Sequence, residues 1–512
     1  MNRKIALFTV FVCLFLTVGA QQTLDLPECR KLALDHNKDL KIAKENIRAA
    51  QEMQKAAFTQ FLPSFSAFGN YTWNQKNISL MGSDAFLPIG VLDQNGKFGI
   101  GSPTSPPHPN GDGTYTIDGL AVNNKFVMID GQAVPLDAKG NPFDPTKNPE
   151  NLMWKNYAIL PKDAMEFDIQ NVFVGGISFV QPIFMGGKII ELNKIAKYNE
   201  QIAQANLTDK TQEIIVNIDE AYWRVVSIEN KVSLAKEYRQ LLIKMDSDIC
   251  AMQQEGLVTK SEVLKVKVKL NEADLSLTKA ENGLKLSRMA LNQLCGLPLD
   301  QTYELSDSKL QDTIELNEPP SIEDVYERRP EIQMIVQAQN IAESNRKIMN
   351  SRFMPNIALT GSYLTTNPNV YNGFQQKFGG MFTVGISATI PLFHFGERIY
   401  TRNAAQSATV VAKLKLDDTK EKIRLQIDQN RYRITESLKK QLTAKTNVDV
   451  AEENLMYAQE GYSAGVITSS DLLAAQTAWV SAKSDYIDAL IDVKLNNLYL
   501  KKSLGQLTES FQ

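Results

Sequence analysis

Residues 176–187 read GISFVQPIFMGG, and residues 385–396 read GISATIPLFHFG. The two stretches lie 209 positions apart. At the same offset NIDEAYWR (217–224) faces QIDQNRYR (426–433), EGLVTKSEVL (255–264) faces AGVITSSDLL (464–473), and Gly296 faces Gly505. A second block repeats at an offset of 292. FLPSFSAFGNY (61–71) faces FMPNIALTGSY (353–363), and HNKDLKIAKENIRAA (36–50) faces RRPEIQMIVQAQNIA (328–342). Self-similarity over such a span marks a duplicated structural unit. The change of offset, 83 residues, is extra material carried by the first copy between 71 and 172. Residues 75–165 contain ten of the chain's twenty prolines and ten of its 28 glycines, a loop composition.

Each copy reads as strand, loop, strand and long helices. In 64–74, Phe65, Ala67, Gly69, Tyr71 and Trp73 alternate with Ser64, Ser66, Asn70 and Thr72. Ile357, Leu359, Gly361 and Tyr363 alternate with Asn356, Thr360 and Ser362 in the second copy. Phe382, Val384, Ile386, Ala388 and Ile390 oppose Thr383, Gly385, Ser387 and Thr389, and 173–180 repeats the pattern less cleanly. Alternating segments of about ten residues with aromatic ends suit outer-membrane β-strands. No proline occurs between Pro182 and Pro298 or after Pro391, and both stretches are rich in good helix formers. A helix over 187–254 is ~100 Å long at 1.5 Å per residue. Gly256 and Gly465 end the long helices, and Thr259-x-x-Glu262 and Thr468-x-x-Asp471 predict capping boxes that restart them. By length, 261–295 is expected to stack with 321–352, and 470–504 with 25–60.

The whole chain has 512 residues, 55 basic against 58 acidic, and three histidines without ligand spacing. That balance argues against a nucleic-acid binder, and the histidines against a His-based metal site. Arg3 and Lys4, the apolar run 5–18, and Val18 and Ala20 before Gln21 predict a signal peptide over 1–20. Its removal leaves a net charge of −5 and three cysteines, of which Cys250 and Cys295 are expected to be helix-packing residues. No other stretch reaches 18 apolar residues, so any crossing of a second membrane must use β-strands. Four strands cannot close a barrel, and an open sheet in a bilayer leaves backbone groups unpaired. The chain must therefore assemble. Three copies give twelve strands and twelve helical legs around one axis, and other closures are also compatible.

The opening LDLPECRKLALDHNKDL (24–40), the FLPSFS and FMPNIA strand entries, the paired GIS motifs, the two tip motifs and the terminal KKSLG together resemble the outer membrane efflux protein (TolC) family. The resemblance spans nearly all of the mature chain except 75–165. It implies a mixed α+β membrane protein, mainly long α-helices in an α-helical barrel. Four transmembrane β-strands per protomer would form a shared 12-stranded β-barrel in a homotrimer with an internal two-fold sequence repeat. The implied organisation is a signal peptide (1–20), a periplasmic helix (21–60), a strand (61–74), the Gly/Pro-rich extracellular insertion (75–165) and a strand (166–184). A periplasmic helical hairpin (185–296, tip near 256), an equatorial linker (297–320), a periplasmic helix (321–352) and a strand (353–366) follow. An extracellular loop (367–380), a strand (381–393), a second periplasmic hairpin (394–505, tip near 465) and a tail (506–512) complete it. The implied function is an outer-membrane exit duct in a Gram-negative bacterium, part of a tripartite efflux or type I secretion system. Its partners would be a periplasmic adaptor, an inner-membrane pump and outer-membrane lipid, with no nucleic acid, no cofactor and no enzymatic activity.

By the same resemblance Asp471, Glu262 and Tyr462 occupy gating or selectivity positions at the tunnel tip. Three Asp471 carboxylates near an axis would favour cations. A helix N-terminal acid meeting the helix dipole is the plainer reading of Asp471 and Glu262. Gly256, Leu257, Gly465 and Val466 would form adaptor-docking tips. Departures are clear: the family's arginine two positions after the second tip glycine is Ile467, the first copy has Val258, and a second acidic ring position is Ala474. These put a salt-bridged lock in question. Tyr71, Trp73 and Tyr363 are candidate membrane-girdle aromatics. Met185-Gly186-Gly187-Lys188 lacks phosphate-loop spacing and predicts a strand-to-helix turn, His394 beside the equivalent turn predicts packing or a membrane interface, and Trp223 and Tyr432 predict packing. The competing readings are a periplasmic coiled-coil adaptor or scaffold, and a secreted enzyme with its site in 75–165. An adaptor carries one hairpin rather than two, and His108 has no partner motif for catalysis.

Overall fold

The protein is described from a computed structural model. It covers residues 23–88, 90–92, 98–100, 108–109, 114–117, 120–123, 126–130, 132–135, 141–142, 157–160, 162–308 and 320–507. The expected signal peptide, much of the 75–165 insertion, residues 309–319 of the linker and 508–512 lie outside the described residues. The chain divides into two units, one of helices and one of strands.

The strand unit joins Leu62–Ile183 to Asn356–Thr389. Its main sheet contains β1 (Ser64–Trp73), β2 (Asn171–Met185), β3 (Asn356–Asn367) and β4 (Gly379–Thr389), hydrogen-bonded in the order β4-β3-β2-β1. β1 and β2 are antiparallel, with Phe65 opposite Phe179 and Tyr71 opposite Phe173. β3 and β4 are antiparallel, with Leu359 opposite Ile386 and Tyr363 opposite Phe382. Direct cross-strand partners share a face, so these registers collect Phe65, Tyr71, Phe173, Phe179, Leu359, Tyr363, Phe382 and Ile386 on one side, while Phe68, Val172, Val174 and Val180 fall on the other. The other side carries the Ser66–Ser178 and Ser362–Thr383 hydroxyl bonds (2.8 and 2.9 Å). Gly361 is required where it stands. A Cβ there would collide with the Phe179 ring, which lies over the bare backbone.

Strand boundaries differ from expectation: the strands expected from 61 and 353 begin at Ser64 and Asn356, and two others differ for clear physical reasons. The strand expected from 166 begins at Asn171, because Glu166 and Phe167 pair instead with Ser79 and Ile78. The strand expected to reach 393 stops at Thr389, just before Pro391, which has no N–H for a ladder.

In the helical unit, α1 (Leu26–His36) and α2 (Lys38–Thr59) precede the long α3 (Lys188–Gln254), which returns as α4 (Lys260–Cys295). The second copy supplies α5 (Ile322–Arg328), α6 (Pro330–Ser351), the long α7 (Glu397–Ser463) and α8 (Ser469–Ser503). The two long helices have 67 residues each. Each starts at a left-handed glycine, Gly187 (φ 85°) or Gly396 (φ 90°), so the 185–188 stretch is the strand-to-helix turn expected of it. His394 packs edge-on against Phe353 at 6.2 Å.

The single helices expected over 21–60 and 321–352 are each broken once, at equivalent positions of the repeat. Asn37 leaves helical geometry and its side chain accepts from the N–H groups of Asp39 and Leu40 (2.7 and 3.2 Å). Arg329 is extended because Pro330 follows it, and proline disfavours helical geometry in the residue before it. Arg329 is buried and bonds Glu331, Gln426 and the Lys502 carbonyl.

The stacking of the legs is opposite to the expectation from length. A Cβ on Gly296, at the end of α4, would fall 2.6 Å from His36 Cβ, so α1 and α2 continue α4. Gly505, at the end of α8, faces Arg328 in the same way, so α5 and α6 continue α8. The flanks of α3 agree. Gln51 of α2 bonds Glu200, and Lys347 of α6 pairs with Glu191. Further along α3, Arg239 pairs with Asp274 of α4, and Lys231 with Asp488 of α8. Each copy therefore stacks on itself. The N-terminal segment is held there by Thr23–Leu24, which pairs in parallel with Glu304–Leu305, and by Arg30 Nε 2.6 Å from the buried Asp219.

The core at this junction contains Leu24, Ala33, Leu40, Ile218, Tyr222 and Leu291. Trp223 packs edge-on against Tyr222 at 5.5 Å, as expected. Its repeat partner Tyr432 does not pack; it is 78% exposed, because α7 lacks the second flanking column that covers α3.

Candidate functional site

The two helical hairpins end side by side. Gly256 and Gly465 take φ of 74° and 76°, and each closes its helix by the same paired bonds. Gly256 N–H donates to the Gln253 carbonyl and Leu257 N–H to Met252. Gly465 N–H donates to the Tyr462 carbonyl and Val466 N–H to Gly461. These are Schellman closures, which need a left-handed residue after the helix and therefore favour glycine. The turns leave two apolar side chains pointing outward: Leu257 is 74% exposed and Val466 79%.

Behind the tips, Leu242, Met245, Ile249 and Val263 of the first hairpin pack with Leu455, Leu472, Leu473 and Trp479 of the second. Val258, Tyr462 and Ile467 sit at the edge of that core. Ile467, where the family carries arginine, turns onto the end of α7 beside Gly461. It thus supplies packing where a charge would project.

Glu262 and Tyr462 line one groove of about 740 Å³ between the tips, together with Met252, Lys265 and Ser469. Ser469 donates to one Glu262 oxygen, and Lys265 donates to the other at 2.7 Å. These bonds favour the ionised form and hold the Glu262 carboxyl below its ordinary range, Lys265 contributing most. The Tyr462 hydroxyl meets the Met252 sulfur at 3.8 Å. Burial, then the charges of Asp248 and Glu262, push the Tyr462 phenol up.

Asp471 is not part of that groove. It lines a separate one with Asn454, Tyr457 and Ala474. Its carboxylate accepts from the Thr468 N–H (3.2 Å) and hydroxyl (2.8 Å), and its own N–H donates to the Thr468 hydroxyl oxygen (3.2 Å). That is the expected capping box. The one expected at Thr259 and Glu262 does not form: Thr259 makes no side-chain cap bond, because Glu262 reaches across to Ser469 instead. Ser469 is the residue the sequence reading missed. Its signal is the hydroxyl run Thr468-Ser469-Ser470, which reads simply as a helix start.

The girdle candidates lie in the strand unit. Tyr71 donates to Asn171 at 2.8 Å and packs on Phe173 at 4.8 Å. Trp73 and Tyr363 are exposed, and the Tyr363 ring end lies over Gly380. Among the described residues no group of His, Cys, Asp and Glu side chains could hold a metal, and no helix is long and apolar enough to cross a membrane.

Residues 321–506 match the sequence model of the outer membrane efflux protein family. The chain carries an outer membrane efflux protein domain. Similar proteins match more of the chain than that domain. The TolC outer membrane protein of Vibrio cholerae is 21% identical over 339 residues, covering 65% of this chain and 77% of that one. The Campylobacter jejuni CmeC outer membrane channel shares the fold at a TM-score of 0.66 and 16% identity, over 94% of this chain and 85% of that one. The Vibrio cholerae outer membrane protein VceC does so at 0.66 and 14%, over 94% and 96%.

Proposed function

We propose that the protein is the outer-membrane exit duct of a tripartite efflux or type I secretion system, working as a homotrimer. One observation carries this reading. A four-stranded sheet with an apolar face has end strands, β1 and β4, without a further partner strand among the described residues. In a bilayer such edges need further strands. Three copies bring twelve, above the roughly eight strands at which such barrels begin. The same chain supplies two 67-residue helices, each ~100 Å long, enough to reach far into a periplasm.

Cargo would pass passively, delivered by an inner-membrane pump through a periplasmic adaptor. The exposed Leu257 and Val466 are the contacts offered to that adaptor. The Glu262–Ser469 bond joins the two hairpin tips and is the contact that must part if the tips separate. Asp471 serves first as a helix cap; an axial carboxylate ring would use the oxygen that Thr468 leaves free.

Planar-bilayer conductance of the detergent-extracted protein tests this reading. A duct gives discrete conductance steps, and Glu262→Ala raises the open fraction. A protein that never inserts would overturn it.

A further inference from the structure

Cys29 lies in the first turns of α1, and Cys295 is the last residue of α4. They are 266 positions apart, yet both are fully buried in the same core. The Cys295 thiol donates to the Cys29 carbonyl oxygen at 3.8 Å. That contact places the Cys295 side chain against the turn of α1 that carries Cys29. Tyr303 packs in the same core, and its buried hydroxyl lacks a hydrogen-bond partner among the described residues. The third cysteine of the described residues, Cys250, lies elsewhere, against the tip core and beside Asp246.

The internal repeat supplies a comparison. The second copy builds the equivalent junction with Leu504 at the position of Cys295, packed on Val325. Ser321 stands at the position of Cys29, so that junction closes without a pair of cysteines. The first junction also holds the chain's N-terminal segment, which no preceding strand or helix of the described residues anchors. A covalent link there would tie residues 23–36 to the base of the first hairpin.

We propose that Cys29 and Cys295 form a disulfide in the exported protein. The proposal rests on the envelope location inferred above, because disulfides persist in oxidising compartments. The oxidant is a disulfide of the thiol–disulfide exchange class. The Cys295 thiolate attacks one oxidant sulfur, expelling the other as a thiolate. The Cys29 thiolate then attacks Cys295 Sγ, expelling the second. One S–S bond forms in the protein, the oxidant is reduced to two thiols, and those two thiols take the protons lost by the cysteines. Reaction precedes full burial, as the N-terminal segment docks.

The test counts thiols. Cell envelopes are quenched with N-ethylmaleimide, and the mature protein is unfolded, alkylated with and without prior reduction, and mapped by peptide mass. The expected result is one reactive thiol, Cys250, without reductant and three after it. In Cys250→Ser the expected counts are none and two. A second arm incubates the reduced protein with an oxidising glutathione couple in urea concentrations that undock the N-terminal segment. Three free thiols in both arms would overturn the proposal. Three in the cellular protein but one after the glutathione arm would uphold the pair and overturn the envelope location.

Discussion

Ser469 donates a hydrogen bond to the Glu262 carboxylate, joining the first turns of two hairpins that the internal repeat makes equivalent. Glu262 and Asp471 are the same position of that repeat. One reaches across to the other hairpin and the other caps its own helix. The difference predicts unequal effects of one substitution. Thr468→Ala removes a working cap and costs about 1 kcal/mol of stability. Thr259→Ala removes no cap bond and stays within about 0.5 kcal/mol of wild type. Denaturant unfolding of the two variants distinguishes them, and equal losses would contradict the assignment.

Glu262 also sets a pH dependence. Its folded pKa is lowered, by Lys265 first and Ser469 second. A lowered carboxyl contributes stability above its unfolded value, about 4.3. That contribution is lost as pH falls through the lower folded value. Wild type and Glu262→Gln should therefore differ most near neutral pH and converge in acid. Paired melting curves across that range check it; a gap that widens in acid would reverse the sign.

The Arg30–Asp219 pair pins α1 to α3, and the Asp219 side chain is only 3% exposed. Burial raises the Asp219 carboxyl, while Arg30 opposes the shift. Asp219→Ala breaks the buried ion pair from the carboxylate side, a loss of about 3–5 kcal/mol. Protease sensitivity between residues 23 and 60 should rise at the same time. An unchanged cleavage pattern would mean that the N-terminal helices are held by packing alone.

In the sheet, Gly361→Val puts a branched side chain against the Phe179 ring. Overpacking of this kind costs about 1–3 kcal/mol. The expected readout is a lower yield of detergent-stable oligomer. Phe179→Ala, combined with Gly361→Val, should restore part of it.

The alternation of Phe65, Ala67, Tyr71 and Trp73 made β1 legible, and its cross-strand partners confirm the shared face. Gly256 and Gly465 made the tips legible, because a Schellman closure leaves a glycine at a fixed place. Helix stacking was not legible, since matching lengths do not tell which ends meet. That choice is made by Gly296 against His36 and Gly505 against Arg328, contacts between residues far apart in sequence. The break at Arg329 was available in the Arg-Pro pair, but the break at Asn37 depends on a side-chain cap with no such marker. The Glu262–Ser469 bond was hidden because each residue, taken alone, reads as an ordinary helix start.

The mass of the mature protein extracted from outer membranes in detergent, with detergent mass subtracted, bears most directly on the duct. The expected particle is three times the protomer mass, the number that turns four strands into twelve. A monomer recovered from the soluble periplasmic fraction would contradict it.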